Sequence, residues 1–307
     1  MAVTSGRLRS HPPILWLAVC IILLTLVATG AGLLLSGGTG PVAFTTLQGQ
    51  AVEIFGRGLY QRDTVFVAAG SRGTDIVTLG LGIPLLTLCG ILHWRGSLRG
   101  TLLLLGTFVY FLYIYASYAL GSVVYNRLLL VYIVLFSASF YGVVLTFRWI
   151  ERHHLGCLTS PPLPRLGPAV FMVASGCVTL IVWLTPLLPA LLHDQPPATL
   201  GSYYTGRVTD ALDLGLITPT TFLAGWLILR RSPLGYLIAL ALLVLEMLLL
   251  PMITAQTMSQ LAAGVTFTPG EIIGPMAGFA GLGLLALWVT VSILKSIAPS
   301  TAEPRED

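Results

Sequence analysis

Arg72–Pro84 reads R-G-T-D-I-V-T-L-G-L-G-I-P, and Arg207–Pro219 reads R-V-T-D-A-L-D-L-G-L-I-T-P. The two stretches lie 207 − 72 = 135 residues apart, and the register holds without a gap as far as Gly100 against Gly235. In that window of 29 positions 13 are identical, among them Arg72, Asp75, Gly80, Pro84, Arg95 and Gly100 with their partners. A Leu- and Gly-rich composition gives about three matches by accident. The chain therefore carries an internal duplication.

The medium of the fold follows from composition. Of 307 residues, 55% are hydrophobic and 9% charged, with a mean hydropathy of +0.88. A soluble domain carries about 25% charged residues, so this is a polytopic membrane protein whose first partner is the lipid bilayer. At about 20 apolar residues per span, eight spans occupy roughly half of the chain. The net charge of +4 is spread over dispersed basic residues that form no patch, which excludes a nucleic-acid partner. The cysteines Cys20, Cys89, Cys157 and Cys177 form no C-x-x-C pair and read as small hydrophobes.

The expected spans are Ile14–Ser36, Asp75–Trp94, Thr101–Gly121, Leu128–Phe147, Pro168–Leu192, Asp210–Leu229, Leu234–Ala255 and Ile273–Ile297. The first apolar run exceeds the 7–15 residues of a cleaved signal peptide's core, so an uncleaved signal anchor is favoured over it. Residues 37–73 are the longest stretch between spans. Within them, Val42–Leu47 and Ala51–Phe55 alternate around Gly49 and predict a small β-hairpin. Asp63 is expected to cap a short helix over Thr64–Ala69, broken by Gly70 and Gly73 before the second span. The tail after Ala298 is polar and expected to be disordered.

Basic residues in short loops set the topology. With the N-terminus inside, Arg7, Arg9, Arg95, Arg99, Arg148, Arg152, Arg165, Arg230, Arg231, Lys295 and Arg305 are cytoplasmic, while Arg57, Arg62, Arg72, Arg127 and Arg207 lie outside, 11 against 5. Both termini are then cytoplasmic. The duplicated stretch covers spans two and six, four spans apart and so equally oriented. The expectation is an all-α membrane protein of two parallel four-helix repeats, residues 1–160 with the outer loop 37–73 and residues 161–307 with a short tail, related by a pseudo-two-fold axis along the membrane normal.

Several residues are candidates for binding. Arg72 and Asp75 stand three apart at the outer mouth of span two, and Arg207 and Asp210 repeat them at span six. Helix capping explains the acids. It does not explain an arginine three residues before each, which suits a salt bridge or an anion or lipid headgroup held between the copies. Asp213 adds a second acid where the first copy has Thr78. Gly80–Pro84 and Gly215–Pro219 are spaced four apart, so each proline frees a glycine carbonyl that needs a hydroxyl, water or ligand within a membrane, unless the glycines serve close helix contact. Glu246 lies near the centre of span seven in L-V-L-E-M-L-L-L-P. An acid at that depth must face the bundle interior, neutral or paired, and is a functional candidate; a hydrogen bond to a neighbouring helix is the plainer reading. Tyr110, Tyr113 and Ser117 share a face of span three and are placed to line a polar cavity beside Glu246, although belt and core roles also suit the tyrosines of that span.

Other chemistries lack their residues. His11, His93, His153, His154 and His193 fall at or outside span ends, which argues against haem held between spans. No H-E-x-x-H, G-x-S-x-G or phosphate-binding glycine loop occurs, and no ligand spacing singles out a metal among Asp63, Asp75, Asp210 and Asp213. No cofactor is expected. An enzyme ranks below two other readings because no nucleophile stands with a base.

Three segments, G-R-G-L-Y-Q-R-D-T-V-F from Gly56, Y-A-S-Y from Tyr115 and A-L-D-L-G-L-I-T-P from Ala211, resemble an uncharacterised family of bacterial multi-pass membrane proteins. The resemblance implies a bacterial plasma membrane and no particular activity. Two functions remain from the residues: a transporter-like protein handling a small solute or lipid between its two repeats, or a sensor or accessory subunit that meets a protein partner through its outer loop.

Overall fold

The computed structural model describes residues 11–46, 49, 51–158, 163–194, 197 and 206–297, with the backbone alone at 154, 156, 157 and 269–276. Arg7, Arg9, Gln50, the repeat boundary at 160 and the tail after Ala298 lie outside them. Among the described residues, eight helices are long and apolar enough to cross a membrane. They are α1 Pro12–Leu34, α2 Val65–Trp94, α3 Leu98–Ala119, α4 Leu129–His154, α5 Leu166–Leu192, α6 Val208–Leu229, α7 Pro233–Ala262 and α8 Pro269–Ser296. The outward faces carry large apolar side chains such as Trp16, Leu88, Ile181 and Trp288. Water makes such a surface costly and lipid does not. The fold is that of an all-α, multi-pass membrane protein.

The helices that touch form a regular set. Helix α1 packs on α2 and α4, and α3 packs on α2 and α4; helix α5 packs on α6 and α8, and α7 packs on α6 and α8. Each pair among the first four helices thus recurs four helices later. Across the middle, α3 meets α7, α2 meets α7, and α3 meets α6. Helices α3 and α7 are consequently the most enclosed; Phe108, Phe111, Leu243 and Val244 are fully buried in them.

The two copies of the duplicated stretch share an irregularity. Thr78–Gly82 and Asp213–Ile217 are each one turn of π-helix, again 213 − 78 = 135 residues apart. Pro84 and Pro219 follow at the start of the resumed α-helix. A proline cannot donate to the carbonyl four residues back, and a wide turn absorbs the mismatch: the N–H groups of Ile83 and Thr218 reach back five residues to the carbonyls of Thr78 and Asp213. Gly80 and Gly215 are exposed on the outside of the bundle, with nothing within 4 Å of where a Cβ would stand. They serve neither an interior ligand nor close helix contact.

The start of α2 differs from the expected one. The helix begins at Val65, ten residues before Asp75, and runs through Gly70 and Gly73 without a break. Its N-cap is Thr64, whose hydroxyl accepts from Val67 N–H at 3.2 Å. The glycines are contact points: a Cβ on Gly73 would stand 2.5 Å from the backbone of Ala255 and Gln256 on α7. Small residues let two membrane helices approach until their backbones nearly touch, and Gln256 donates to Thr74 there at 2.7 Å.

The hairpin forms as expected, with β1 Val42–Thr45 antiparallel to β2 Ala51–Ile54, Val42 opposite Ile54 and Gly49 at positive φ in the turn. It joins the bundle through Phe55 N–H to the Asp63 carbonyl at 2.8 Å and through an isolated bridge between Ile54 and Thr64. Asp63 does not cap the helix. Its Oδ1 accepts from Val124 N–H at 2.7 Å and clasps this loop to the α3–α4 connection.

Candidate functional site

A cavity of about 410 Å³ lies among α2, α3, α5, α6, α7 and α8. Its polar wall is built from separate helices: Asp213 from the π turn of α6, Glu246 from α7, Ser175 from α5, and Tyr113 and Ser117 from α3. It reaches from Glu246 to Gln260, Phe267 and Ser122 at the end of the bundle that bears the hairpin. Glu246 follows Pro233 by 13 residues, which at 1.5 Å per residue puts it about 20 Å from the far end of α7. Gln260 lies roughly as far again toward the hairpin end.

Both carboxylates are held by neutral donors. Asp213 Oδ2 accepts from the Trp183 indole N–H at 2.9 Å, and Tyr113 hydrogen-bonds to the same carboxylate. Glu246 Oε1 accepts from the Ser175 hydroxyl. Glu246 Oε2 is buried with no hydrogen-bond partner among the described residues. A buried carboxylate oxygen left unpaired is costly, which keeps Glu246 a candidate binding group. No Lys, Arg or His stands among the residues that line the cavity.

The remaining expected residues are placed elsewhere. Tyr110 turns away from the cavity, fully buried, and shares a 2.9 Å hydrogen bond with Thr78 in the π turn of α2. Thr78 is the counterpart of Asp213, so one face of α3 bonds to one π turn through Tyr110 and another face to the second through Tyr113. Arg207 is ion-paired with Asp210 in the first turn of α6, the salt bridge the sequence suggested. The first copy is built differently. Asp75 sits within α2, buried, and accepts from the Tyr60 hydroxyl at 2.8 Å. Burial above all, and next the Asp75 carboxylate, push the Tyr60 hydroxyl well above its ordinary pKa, so it stays a donor. Arg72 donates to the carbonyls of Gly32 and Leu33 at 3.4 and 3.3 Å, closing the C-terminal end of α1, where cations are favoured. Around Asp75 the rings of Tyr60, Tyr115, Tyr118 and Tyr132 pack edge-on and stacked at 5.3–6.4 Å. This half is filled with side chains.

Sequence reasoning missed Ser175, Trp183, Gln256 and Gln260. Trp183 carried a signal, since an indole N–H in an apolar span needs an acceptor. The Gln pair, four apart on one helix face, lay past the expected end of span seven. Among the described residues no group of three His, Cys, Asp or Glu is placed to hold a metal.

Fold and cavity together define a class: a multi-pass helical membrane protein with an acid-lined cavity inside its bundle. Comparison with protein-family models, curated proteins and solved structures finds no match for the chain.

Proposed function

We propose that the protein is transporter-like: it binds a small solute in the Asp213–Glu246 cavity and passes it across a bacterial plasma membrane. The observation that carries this reading is the buried, unpaired Oε2 of Glu246 at the wall of a cavity that opens toward one end of the bundle. The chain is read as two parallel four-helix repeats, 1–160 and 161–307. In support, the π turns and the helix contacts both recur after one repeat. The hairpin end faces outward and both termini face the cytoplasm, by the distribution of basic residues. Carriers built from repeats commonly bind at the repeat interface near mid-membrane, and here the cavity borders α2 and α3 of one half and α5 to α8 of the other.

The test is uptake into proteoliposomes of the full chain. Glu246→Gln keeps shape and removes charge; Glu246→Leu suits an apolar helix. Both variants are expected to purify with a near-parental melting temperature and to lose uptake. A Glu246→Gln protein that transports like the parent makes Glu246 structural and takes away the observation behind this reading; a parent that takes up no solute ends it.

One observation favours a second reading. Strand β1 is exposed throughout, with Val42 and Phe44 about half accessible at the hairpin, a surface for a protein partner of a sensor or accessory subunit. Gly40 and Gly56 are hydrogen-bonded neighbours, so residues 42–54 can be excised between them; loss of a co-purifying partner on that excision, with uptake absent throughout, would favour this alternative.

A further inference from the structure

From the cavity's walls we infer that its ligand is a monovalent organic cation, an ammonium group on an apolar body. This rests on the transport reading only for the site's purpose; the ligand's class follows from the walls. The cavity carries two carboxylates, and no basic residue lines it among the described residues. An anion would be repelled by both acids. A neutral hydroxyl would satisfy one lone pair of Glu246 but supply no countercharge, so the ionised form would stay uncompensated in a medium of low dielectric. An ammonium group supplies both the missing donor to Oε2 and the countercharge.

The remaining atoms of the ligand are set by the remaining walls. Leu245, Leu249, Met252, Phe279 and Leu282 line the same space, and about 410 Å³ lies in the range of small-molecule cavities. A bare divalent metal ion needs a shell of about six oxygens rich in carboxylates, and among the described residues no group of three His, Cys, Asp or Glu is placed to hold one. Trp183 and Tyr113 line the same space beside Asp213, and aromatic side chains are compatible with a cationic ligand. Asp213 already accepts from two donors, so Glu246 is the primary anchor and a single positive charge suffices.

Calorimetry on the full chain in nanodiscs, with matched probes, tests this. Phenethylamine, phenethyl alcohol and phenylpropionate share a ring and length and differ in charge. The amine is expected to bind at least about tenfold more tightly than the alcohol, since a charge-assisted bond replaces a neutral one, and the carboxylate not at all. Glu246→Gln should erase the preference for the amine, Asp213→Asn should reduce it, and Glu53→Gln on the exposed hairpin should leave it unchanged. Equal affinity for amine and alcohol overturns the inference, as does preference for the carboxylate, competition by sodium ions alone, or absence of amine binding. If Glu246→Gln fails to fold, Asp213→Asn decides: an undiminished preference for the amine refutes the acid-anchored site. Amine binding without uptake removes the transport reading and leaves the ligand class standing.

Discussion

Asp63 offers the sharpest physical test of how the outer loop is fastened. The side chain is 2% exposed and its one strong compensation is Val124 N–H at 2.7 Å. Burial pushes its carboxyl up from the ordinary 3.8 to about 7, the Val124 hydrogen bond opposing only part of the shift. The unfolded chain releases this proton near 4 and the native protein near 7. Between those values the native state holds more protons, so raising the pH favours unfolding. The stability of the clasp is greatest below about pH 4, falls through the interval and is flat above about pH 7. A rise of about three pH units at about 1.4 kcal/mol each amounts to ~4 kcal/mol. Asn at this position keeps the acceptor oxygen and never ionises. Asp63→Asn should match the parent near pH 4 and exceed it by up to ~4 kcal/mol near pH 8. Thermal unfolding of both proteins in one detergent across that range is the assay, and the difference between the two curves isolates Asp63 from other titrating groups. If instead the parent becomes more stable relative to the Asp63→Asn variant as pH rises, the loop favours the charged form and the reasoning is wrong.

Two further outcomes follow from packing and topology. Gly73→Ala drives a Cβ into α7 backbone 2.5 Å away and is expected to cost about 1–3 kcal/mol by overpacking, whereas Gly30→Ala, with nothing within 4 Å, should hold or raise the melting temperature; equal losses would mean that α2 and α7 are not so tightly apposed. A cysteine at exposed Glu53 on the hairpin should react with an impermeant reagent applied outside intact cells and one at Ser97, the N-cap of α3, should not; labelling at Ser97 from outside reverses the proposed orientation.

Much of the architecture was legible because a membrane makes apolar length a direct signal. Eight runs became eight helices, and alternation about Gly49 became a hairpin. The errors lie where polar residues enter a span. Ser71, Arg72 and Gly73 broke the apolar run and hid the first turns of α2, although Arg72 reaches α1 carbonyls and Gly73 touches α7. The Gly-x-x-x-Pro spacing announced an irregular backbone but not its form; a π turn depends on how the whole helix is seated. Glu246 stood out because a carboxyl within a leucine run has one plausible orientation. Its partner Ser175 did not, because a serine in an apolar span is common and pairing is decided by the tertiary fold.

The two halves differ in character at the counterparts of Asp213 and Glu246. Counterparts 135 residues apart pair Thr78 with Asp213 and Phe111 with Glu246. In the first half Thr78 bonds to Tyr110, and Phe111 packs on Tyr110 and stacks on Tyr115, so that volume is solid. In the second half acids take both places, each bonded to a neutral donor, and the space beside them is open. A filled half is the stiffer one, since close-packed aromatics resist displacement. An ionised acid beside a void, with one oxygen unpaired, is stabilised when water or a ligand completes it. On the repeat reading, one half is packed shut while the other holds a cavity lined by two acids. Asp75, tied to Tyr60 and enclosed by tyrosines, is then structural, and on the proposed function a solute is met by Asp213 and Glu246 among the described residues.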